Sequence, residues 1–251
     1  MVRGLDRFRT AFAAHREAFV LIGGTACHLA MAQVGNPFRA THDFDIVLCL
    51  EEVDTDFVRS LWRFIADGGY AAREKHSGGH HVYRFQRPAD DSYPAMLELF
   101  SRLPDDLSLT SNSHLTPIPM GDDVSSLSAI LLDDDYYGLV RAGRKIYEDL
   151  PYLTAEYLVP LKARAWLDLT TRRAAGADID SGDIKKHRND CLRLVGIIPG
   201  DRTVLLPPSV HSDMTQFIEA MSTANIQLKS LGLGSVRQAD LVAAMRQIYL
   251  A

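Results

Sequence analysis

The sequence predicts an α+β fold, with a mixed sheet flanked by helices in residues 1–150 and a helical bundle in residues 151–251. Up to about residue 150, short apolar runs of strand length alternate with segments of helical period. Beyond Pro151 only the helical period remains. The chain has 251 residues, of which 47% are hydrophobic and 24% charged, so it can bury a sizeable core. We therefore predict two domains that meet near residue 150.

Periodicity and turn residues predict each element in order. Apolar residues at helical spacing predict a helix over 5–18, and the wholly apolar run that follows predicts a short buried strand over 19–22. Pro104 to Asp123 is rich in Ser, Thr, Pro and Asp, which predicts a long loop with one short strand at 115–118. The other predicted elements are helices over 25–33 and 54–68, strands over 43–50, 81–86 and 95–100, a helix end with a hairpin over 133–147, and helices over 154–174, 181–196, 208–222 and 235–249.

Two aspartates separated by one residue mark the strand predicted over 43–50. Side chains alternate between the faces of a strand, so Asp43 and Asp45 share one face and Phe44, Ile46 and Leu48 share the other. Two neighbouring carboxylates repel each other and lose hydration, and a divalent cation such as Mg²⁺ normally offsets that cost. The pair therefore predicts a metal site.

A diglycine turn precedes this strand. Gly23 and Gly24 join the first strand to a helix, and glycines let a phosphate approach the free N–H groups of a helix N-terminus. Paired glycines alone are more often plain turn residues. Eighteen residues separate Gly24 from Asp43, enough for the helix and a loop, so we expect the acidic strand to return beside the first strand.

A third carboxylate, Glu98, interrupts the apolar run Ala95-Met96-Leu97-Glu98-Leu99-Phe100. A lone glutamate at a strand centre requires a partner, a metal or water, and a solvated edge strand explains it as well as function does. If Glu98 joins the aspartates, three carboxylates could hold two Mg²⁺ ions for in-line phosphoryl or nucleotidyl transfer. On the neighbouring predicted strand, Arg84 could reach a phosphate, although a solvated strand arginine is the commoner case.

The C-terminal half adds basic candidates. Lys162 falls on an apolar helical stripe, where a lysine usually keeps its ammonium in water but could instead face a triphosphate. Lys186 and Asp190 are four residues apart and could pair on one helix face, or serve as reserve site residues. The run Lys185-Lys186-His187-Arg188 could alternatively form a local basic patch for a nucleic-acid acceptor.

Charge and cysteine content narrow the class of protein. A net charge of −5 and a pI near 6.0 exclude a global attraction to nucleic acid. Cys27, Cys49 and Cys191 stand far apart in apolar stretches, which favours buried thiols in a reducing cytosol over disulfides or zinc ligands. The N-terminus lacks the pattern of a signal peptide, and no apolar run is long enough for a membrane span. We expect a cytoplasmic protein with no membrane partner.

Together the segments Gly23-Gly24-Thr25, Asp43-Phe44-Asp45 and Glu98 resemble the signature of the polymerase-beta-like nucleotidyltransferase superfamily. Within it the chain is similar to the AbiEii-type nucleotidyltransferases of bacteria, many of which are toxins of toxin–antitoxin or phage-defence systems. The similarity extends to the run Arg39-Ala40-Thr41-His42 before the aspartates, to Leu97-Glu98-Leu99-Phe100-Ser101-Arg102, and to the helical half. It implies a nucleotidyltransferase fold over 1–150 and a helical domain over 151–251 that closes the nucleotide cleft.

The resemblance also implies roles for single residues. Gly23, Gly24 and Thr25 would lie near the nucleotide phosphates, together with Lys162 of the helical half. Asp43 and Asp45 would bind Mg²⁺, as two ions, or Mn²⁺, with Glu98 as third ligand or base. The implied reaction transfers an NMP from an NTP to a hydroxyl acceptor such as tRNA, a protein or a small molecule, and an antitoxin protein would be a partner.

The gap from the glycines to the aspartates is longer than the short pattern of the superfamily. The role carried over to Glu98 depends most on this spacing, because an intervening pair of strands could place Glu98 away from the aspartates.

Two rival classes of protein remain. The run Asp43-Phe44-Asp45 also matches the motif of haloacid-dehalogenase-type phosphatases, in which the first aspartate is a nucleophile at the C-terminal end of an apolar strand. Here the apolar residues follow the aspartates, which argues against that class. The other rival is a non-catalytic nucleotide-binding or antitoxin-like interaction module.

Overall fold

A computed structural model describes residues 2–72, 82–100 and 133–251. The contacts group the chain into two compact units. We call Met1–Leu132 with Arg144–Leu153 the sheet unit, and Asp133–Gly143 with Thr154–Ala251 the helical unit. The chain passes from the sheet unit to the helical unit for the last time between residues 153 and 154. The assignment of a nucleotidyltransferase domain to 1–150 and of a helical domain that closes the cleft to 151–251 stays a prediction.

In the sheet unit, one mixed sheet carries helices and short 3₁₀ turns between its strands. Its strands are β1 (Phe19–Ile22), β2 (Asp43–Leu48), β3 (Ala71–Ala72), β4 (Val82–Gln86), β5 (Met96–Phe100), β6 (Arg144–Tyr147) and β7 (Leu150–Leu153). Its described helices are α1 (Leu5–Ala11), α2 (Gly23–Gln33) and α3 (Thr55–Gly68), with 3₁₀ turns at Arg16–Ala18 and Leu50–Glu52.

Over the described residues the strand order is β3-β4-β5-β2-β1-β7-β6. β2 lies between β1, to which it is antiparallel, and β5, to which it is parallel. β4 pairs with β5 in antiparallel fashion, and β1 pairs with β7 in parallel fashion. The sheet is therefore mixed, and the predicted return of β2 beside β1 is confirmed.

An aromatic cluster packs α1 and α3 on one face of this sheet. Phe8 of α1 contacts Phe19 of β1 and Phe44 of β2, with ring centroids 5.4 Å and 5.2 Å apart. Phe8 also meets Phe64 of α3 edge to face at 5.7 Å. Phe12 and Phe19 both approach Phe8, so the chain has to turn between them. This explains why α1 ends at Ala11, although the sequence predicted one helix over 5–18.

The helical unit confirms the helical period seen beyond Pro151. Each predicted helix there is present to within three residues at either end. The helices are α4 (Asp134–Ala142), α5 (Ala155–Ala174), α6 (Ser181–Val195), α7 (Pro208–Thr223) and α8 (Gln238–Tyr249), with a 3₁₀ turn at Leu228–Leu231. The α+β prediction is thus confirmed, with a mixed sheet in one unit and helices in the other.

Some predicted elements shift or lie outside the description. α2 begins at Gly23 rather than at residue 25, so the glycines form its first turn. The sequence did not predict β3 and β7. The loop over 104–123 and its strand at 115–118 lie outside the described residues. No helix in the described ranges is long and apolar enough to cross a membrane.

Candidate functional site

The acidic face of β2 is as the sequence predicted. Phe44, Ile46 and Leu48 are buried on the side of the aromatic cluster, whereas Asp43 and Asp45 are half-buried. Alternate residues of a strand lie about 6.6 Å apart along the chain, so the two carboxylates project side by side. β2 begins at Asp43, which places both aspartates at the start of the strand.

The glycine turn touches this acidic face directly. Ile22 is the register partner of Asp45, so Gly23, the next residue, lies beside the aspartate. A Cβ built on Gly23 would lie 1.7 Å from Asp45 Oδ2, and the φ of Gly23 is +61°. Only glycine accommodates both the backbone angle and the carboxylate. The N-terminus of α2, whose N–H groups and dipole favour anions, thus lies against Asp45.

Two residues that the sequence analysis left without a role lie at the second glycine. A Cβ on Gly24 would lie 2.6 Å from Thr41 Oγ1 and 3.6 Å from Arg39 Nη2. Thr41 is buried, and the Arg39 guanidinium stacks over the Phe38 ring at 5.3 Å. Residues 39, 41, 43 and 45 alternate with period two, and that alternation is the signal that could have placed Arg39 and Thr41 with the aspartates.

Thr25 was predicted near the nucleotide phosphates. Its side chain is fully buried, and its hydroxyl donates a hydrogen bond of 2.9 Å to the backbone carbonyl of Asp43. This bond ties the first turn of α2 to the start of β2. Thr25 therefore positions the glycine turn against the acidic strand, and its contact with phosphate stays a prediction.

Glu98 lies on the same face but already has a partner. It is the register partner of Asp45 on one side and of Arg84 on the other. Its Oε1 accepts a hydrogen bond from Arg84 Nε at 2.5 Å, and Arg84 Nη2 forms an ion pair with the same oxygen at 2.5 Å. β5 is an inner strand and Glu98 is only 6% exposed, so a solvated edge strand does not explain the residue. Arg84 is likewise not a purely solvated strand arginine.

The donor chemistry of this face fits a divalent cation only in part. Half-buried carboxylates such as Asp43 and Asp45 are the ligands that Mg²⁺ and Mn²⁺ favour. The Glu98 carboxylate does not fit as a third ligand in this arrangement because Arg84 neutralises it. Among the described residues, no group of three or more His, Cys, Asp or Glu side chains is arranged to hold an ion. The metal site stays a prediction that rests on the aspartate pair.

The basic candidates of the helical unit have a different setting. Lys162 Nζ donates a hydrogen bond of 2.9 Å to Asp190 Oδ2, and the two residues are 4% and 0% exposed. The ammonium of Lys162 therefore does not reach water along the helix. Asp190 pairs with Lys162 of α5 rather than with Lys186, which is exposed on α6. The nucleotide-binding roles of Lys162, Lys186 and Asp190 stay predictions.

The sequence did not predict a second polar cluster of the helical unit, in which Tyr136 and Asp213 are buried. The Tyr136 hydroxyl donates to Asp213 Oδ2 at 2.7 Å, and Arg164 Nη1 donates to Asp213 Oδ1 at 3.1 Å. Burial and then the Asp213 hydrogen bond raise the pKa of Tyr136 far above its usual value. The three residues come from α4, α5 and α7, so no short sequence motif indicates them. The cluster joins three helices.

The buried thiols agree with their apolar sequence context. Cys27, Cys49 and Cys191 are all buried. Cys191 contacts the carbonyl of Val159 at 3.6 Å across two helices. They act as small apolar core residues in this fold.

The chain is similar to the crystal structure of an antigenic nucleotidyltransferase-like protein from Paracoccidioides brasiliensis, at 13% identity and a TM-score of 0.47, over 99% of this chain and 96% of that one. No family model matches the sequence, and a search of curated proteins found no match.

Proposed function

We propose that the chain is a nucleotidyltransferase that moves an NMP from an NTP to a hydroxyl acceptor. The observation that carries this proposal is the contact between the first turn of α2 and the acidic strand, where Gly23 lies against Asp45. A helix N-terminus attracts phosphate, and paired carboxylates attract a divalent cation. A nucleoside triphosphate carries its phosphates together with such a cation, so it matches both features at once.

In the proposed reaction the acceptor oxygen forms a bond to the α-phosphorus. The bond between the α-phosphorus and the bridging oxygen of the β-phosphate breaks, and pyrophosphate leaves with that electron pair. The proton of the acceptor hydroxyl passes to solvent or to a nearby carboxylate. A bound divalent cation would supply charge neutralisation and a more acidic hydroxyl. Positioning and electrostatic stabilisation carry most of the catalysis of such a transfer.

The residues of the sheet unit would divide these tasks. Asp43 and Asp45 would bind the cation, and the backbone N–H groups at Gly23 and Gly24 would hold phosphate oxygens. Thr25 would fix the glycine turn through its bond to the Asp43 carbonyl. A side chain at position 23 would collide with the Asp45 carboxylate and would disturb the turn whose N–H groups hold phosphate. Substitution at Gly23 should therefore weaken both phosphate binding and cation binding by Asp45.

The test uses each of the four NTPs labelled at the α-phosphate, with Mg²⁺ and either total RNA or cell extract. We expect label transfer by the wild-type chain and a loss of at least about a hundredfold in Asp45→Asn, since that change removes a metal ligand. The matched control is Asp67→Asn, an exposed aspartate of α3 that forms an ion pair with Arg63 at 3.8 Å. It should keep wild-type transfer because exposed ion pairs contribute little.

Other outcomes would identify a rival class. Transfer of a γ-label would show a kinase, and phosphate release from monoesters without NTP would show a phosphatase. The position of the aspartates at the start of β2 argues against the phosphatase, whose nucleophile belongs at the far end of its strand. NTP binding without transfer to any acceptor would leave a binding module.

A role as the toxin of a toxin–antitoxin or phage-defence system is part of the proposal. Growth of a bacterial host should stop on expression of the wild-type chain and continue on expression of Asp45→Asn. Continued growth with both chains, alongside active label transfer in vitro, would indicate an enzyme without toxicity. In that case no antitoxin partner is required.

A further inference from the structure

Three charged residues form a row across the sheet on the face that carries the aspartates. Register pairs Asp45 of β2 with Glu98 of β5, and Glu98 with Arg84 of β4. Directly paired residues share a face, and neighbouring strands lie about 4.8 Å apart, so Arg84 is about 10 Å from Asp45 across the sheet. The row places one cation beside two anions at the predicted site.

The contact between Arg84 and Glu98 joins two charged groups and involves one oxygen of the carboxylate. Arg84 Nε donates to the carboxylate oxygen Oε1 of Glu98 at 2.5 Å, and Nη2 forms an ion pair with the same oxygen at 2.5 Å. The side chain of Glu98 is 7% exposed, whereas that of Arg84 is 34% exposed. A buried carboxylate requires a fixed cation. The Arg84 guanidinium therefore remains accessible to solvent, while the buried Glu98 carboxylate fixes its position.

A guanidinium carries five N–H donors in a rigid fork, and Glu98 accepts from Nε and lies in ion-pair contact with Nη2. The fork geometry matches phosphate oxygens, and arginine is well suited to binding them because its charge is permanent. The local charge also favours this use. Without Arg84, Glu98 would add a third negative charge beside Asp43 and Asp45 and would repel a polyphosphate, and the ion pair with Arg84 offsets that charge.

We propose that Glu98 is a positioning residue for Arg84 rather than a metal ligand, and that Arg84 contacts the phosphates of the bound nucleotide. This inference rests on the proposed function for the identity of the ligand. It replaces the predicted set of three carboxylates with a pair of aspartates and one anchored arginine. The cation site then needs Asp43 and Asp45 but not Glu98.

Two binding measurements on the full chain separate the roles. Mn²⁺ binding, followed by electron paramagnetic resonance without nucleotide, reports the metal ligands. Binding of inorganic pyrophosphate, followed by calorimetry, reports the phosphate contacts without depending on the base of the NTP. The variants are Glu98→Gln, Arg84→Gln, Arg84→Lys and Asp45→Asn, each checked for folding by its melting temperature.

We expect Glu98→Gln and Arg84→Gln to bind Mn²⁺ within about twofold of wild type, whereas Asp45→Asn loses at least about tenfold. Pyrophosphate affinity should fall about tenfold or more in Arg84→Gln and by a smaller factor in Glu98→Gln, because the amide still accepts a hydrogen bond from Arg84. Arg84→Lys keeps a cation for Glu98, so it tests the fork geometry if Arg84→Gln does not fold. It should lose an intermediate factor.

Mn²⁺ affinity in Glu98→Gln as low as in Asp45→Asn would overturn the proposal, since Glu98 would then be a ligand. Wild-type pyrophosphate affinity in folded Arg84→Gln or Arg84→Lys would overturn it as well. Failure of the proposed function gives a different result. The wild-type chain would then transfer no label, although pyrophosphate binding would still depend on Arg84.

Discussion

Two regions of the molecule hold charged residues in opposite ways. In the helical unit, Lys162 and Asp190 are 4% and 0% exposed and neutralise each other. In the sheet unit, Asp43 and Asp45 are half-buried carboxylates of like charge on one strand face. The opposite charges of a buried pair attract each other, whereas adjacent carboxylates repel each other, and a divalent cation reduces that repulsion. The first arrangement is typical of structure and the second of binding.

The largest expected effect is on the buried pair. Asp190→Ala should destabilise the chain by about 3–5 kcal/mol because it leaves the Lys162 ammonium buried without its carboxylate. The double variant Lys162→Met with Asp190→Leu removes both charges and should cost far less, since apolar replacements of a buried pair are often close to neutral. Denaturant unfolding of both variants measures the difference.

The same double variant separates structure from nucleotide binding. If the pair only joins α5 and α6, a folded double variant keeps label transfer from the NTP. Loss of transfer at wild-type stability would instead show that Lys162 or Asp190 contacts the nucleotide. For Asp45→Asn we expect the opposite of a folded double variant that keeps transfer. Label transfer should be lost, while the free energy of unfolding should change by no more than about 1 kcal/mol.

The next effect concerns the glycine turn. Gly23→Ala should cost about 2–3 kcal/mol, because alanine strains a φ of +61° and its Cβ would lie 1.7 Å from Asp45 Oδ2. Gly35 is a matched control, with a φ of +69° and nothing within 4 Å of a Cβ. Gly35→Ala should cost only about 1 kcal/mol, from backbone strain alone.

Unfolding free energies of the two variants give the comparison, and Mn²⁺ binding sharpens it. If Asp45 rotates away to make room, Gly23→Ala keeps the stability of Gly35→Ala but binds Mn²⁺ more weakly. Equal stability together with wild-type Mn²⁺ binding would show that the glycine turn does not constrain the carboxylate.

The sequence predicted the local geometry of β2 and its pairing with β1. Period-two alternation placed Phe44 in the core and the aspartates opposite, and chain length required β2 to return beside β1. It did not predict the partner of Glu98, because that partner depends on the order of strands. Asp190 was paired with Lys186 by spacing along one helix. The actual partner, Lys162, lies 28 residues away on another helix, so only the packing of α5 on α6 reveals it.

Tyr136 offers a smaller test of the helical unit. Tyr136→Phe removes the hydrogen bond to Asp213 but leaves Arg164 on the other oxygen, so we expect a cost of about 1–2 kcal/mol. Burial and the Asp213 bond raise the pKa of Tyr136, so the folded state keeps its proton while the unfolded state loses it. The free energy of unfolding therefore keeps this contribution below about pH 10 and decreases above that pH. The decrease should be smaller in Tyr136→Phe. Equal unfolding curves for both chains at neutral pH would contradict the assignment.

The smallest expected effect concerns His28, which lies on α2 five residues after Gly23. Chiefly because of burial, the pKa of His28 is lowered from 6.5. The unfolded chain therefore binds a proton at His28 before the folded chain does, and stability falls as the pH drops below about 6.5. His28→Gln should show a smaller decrease in melting temperature between about pH 7.5 and pH 5.5 than wild type. An equal decrease in both chains would move the sensitivity to other groups.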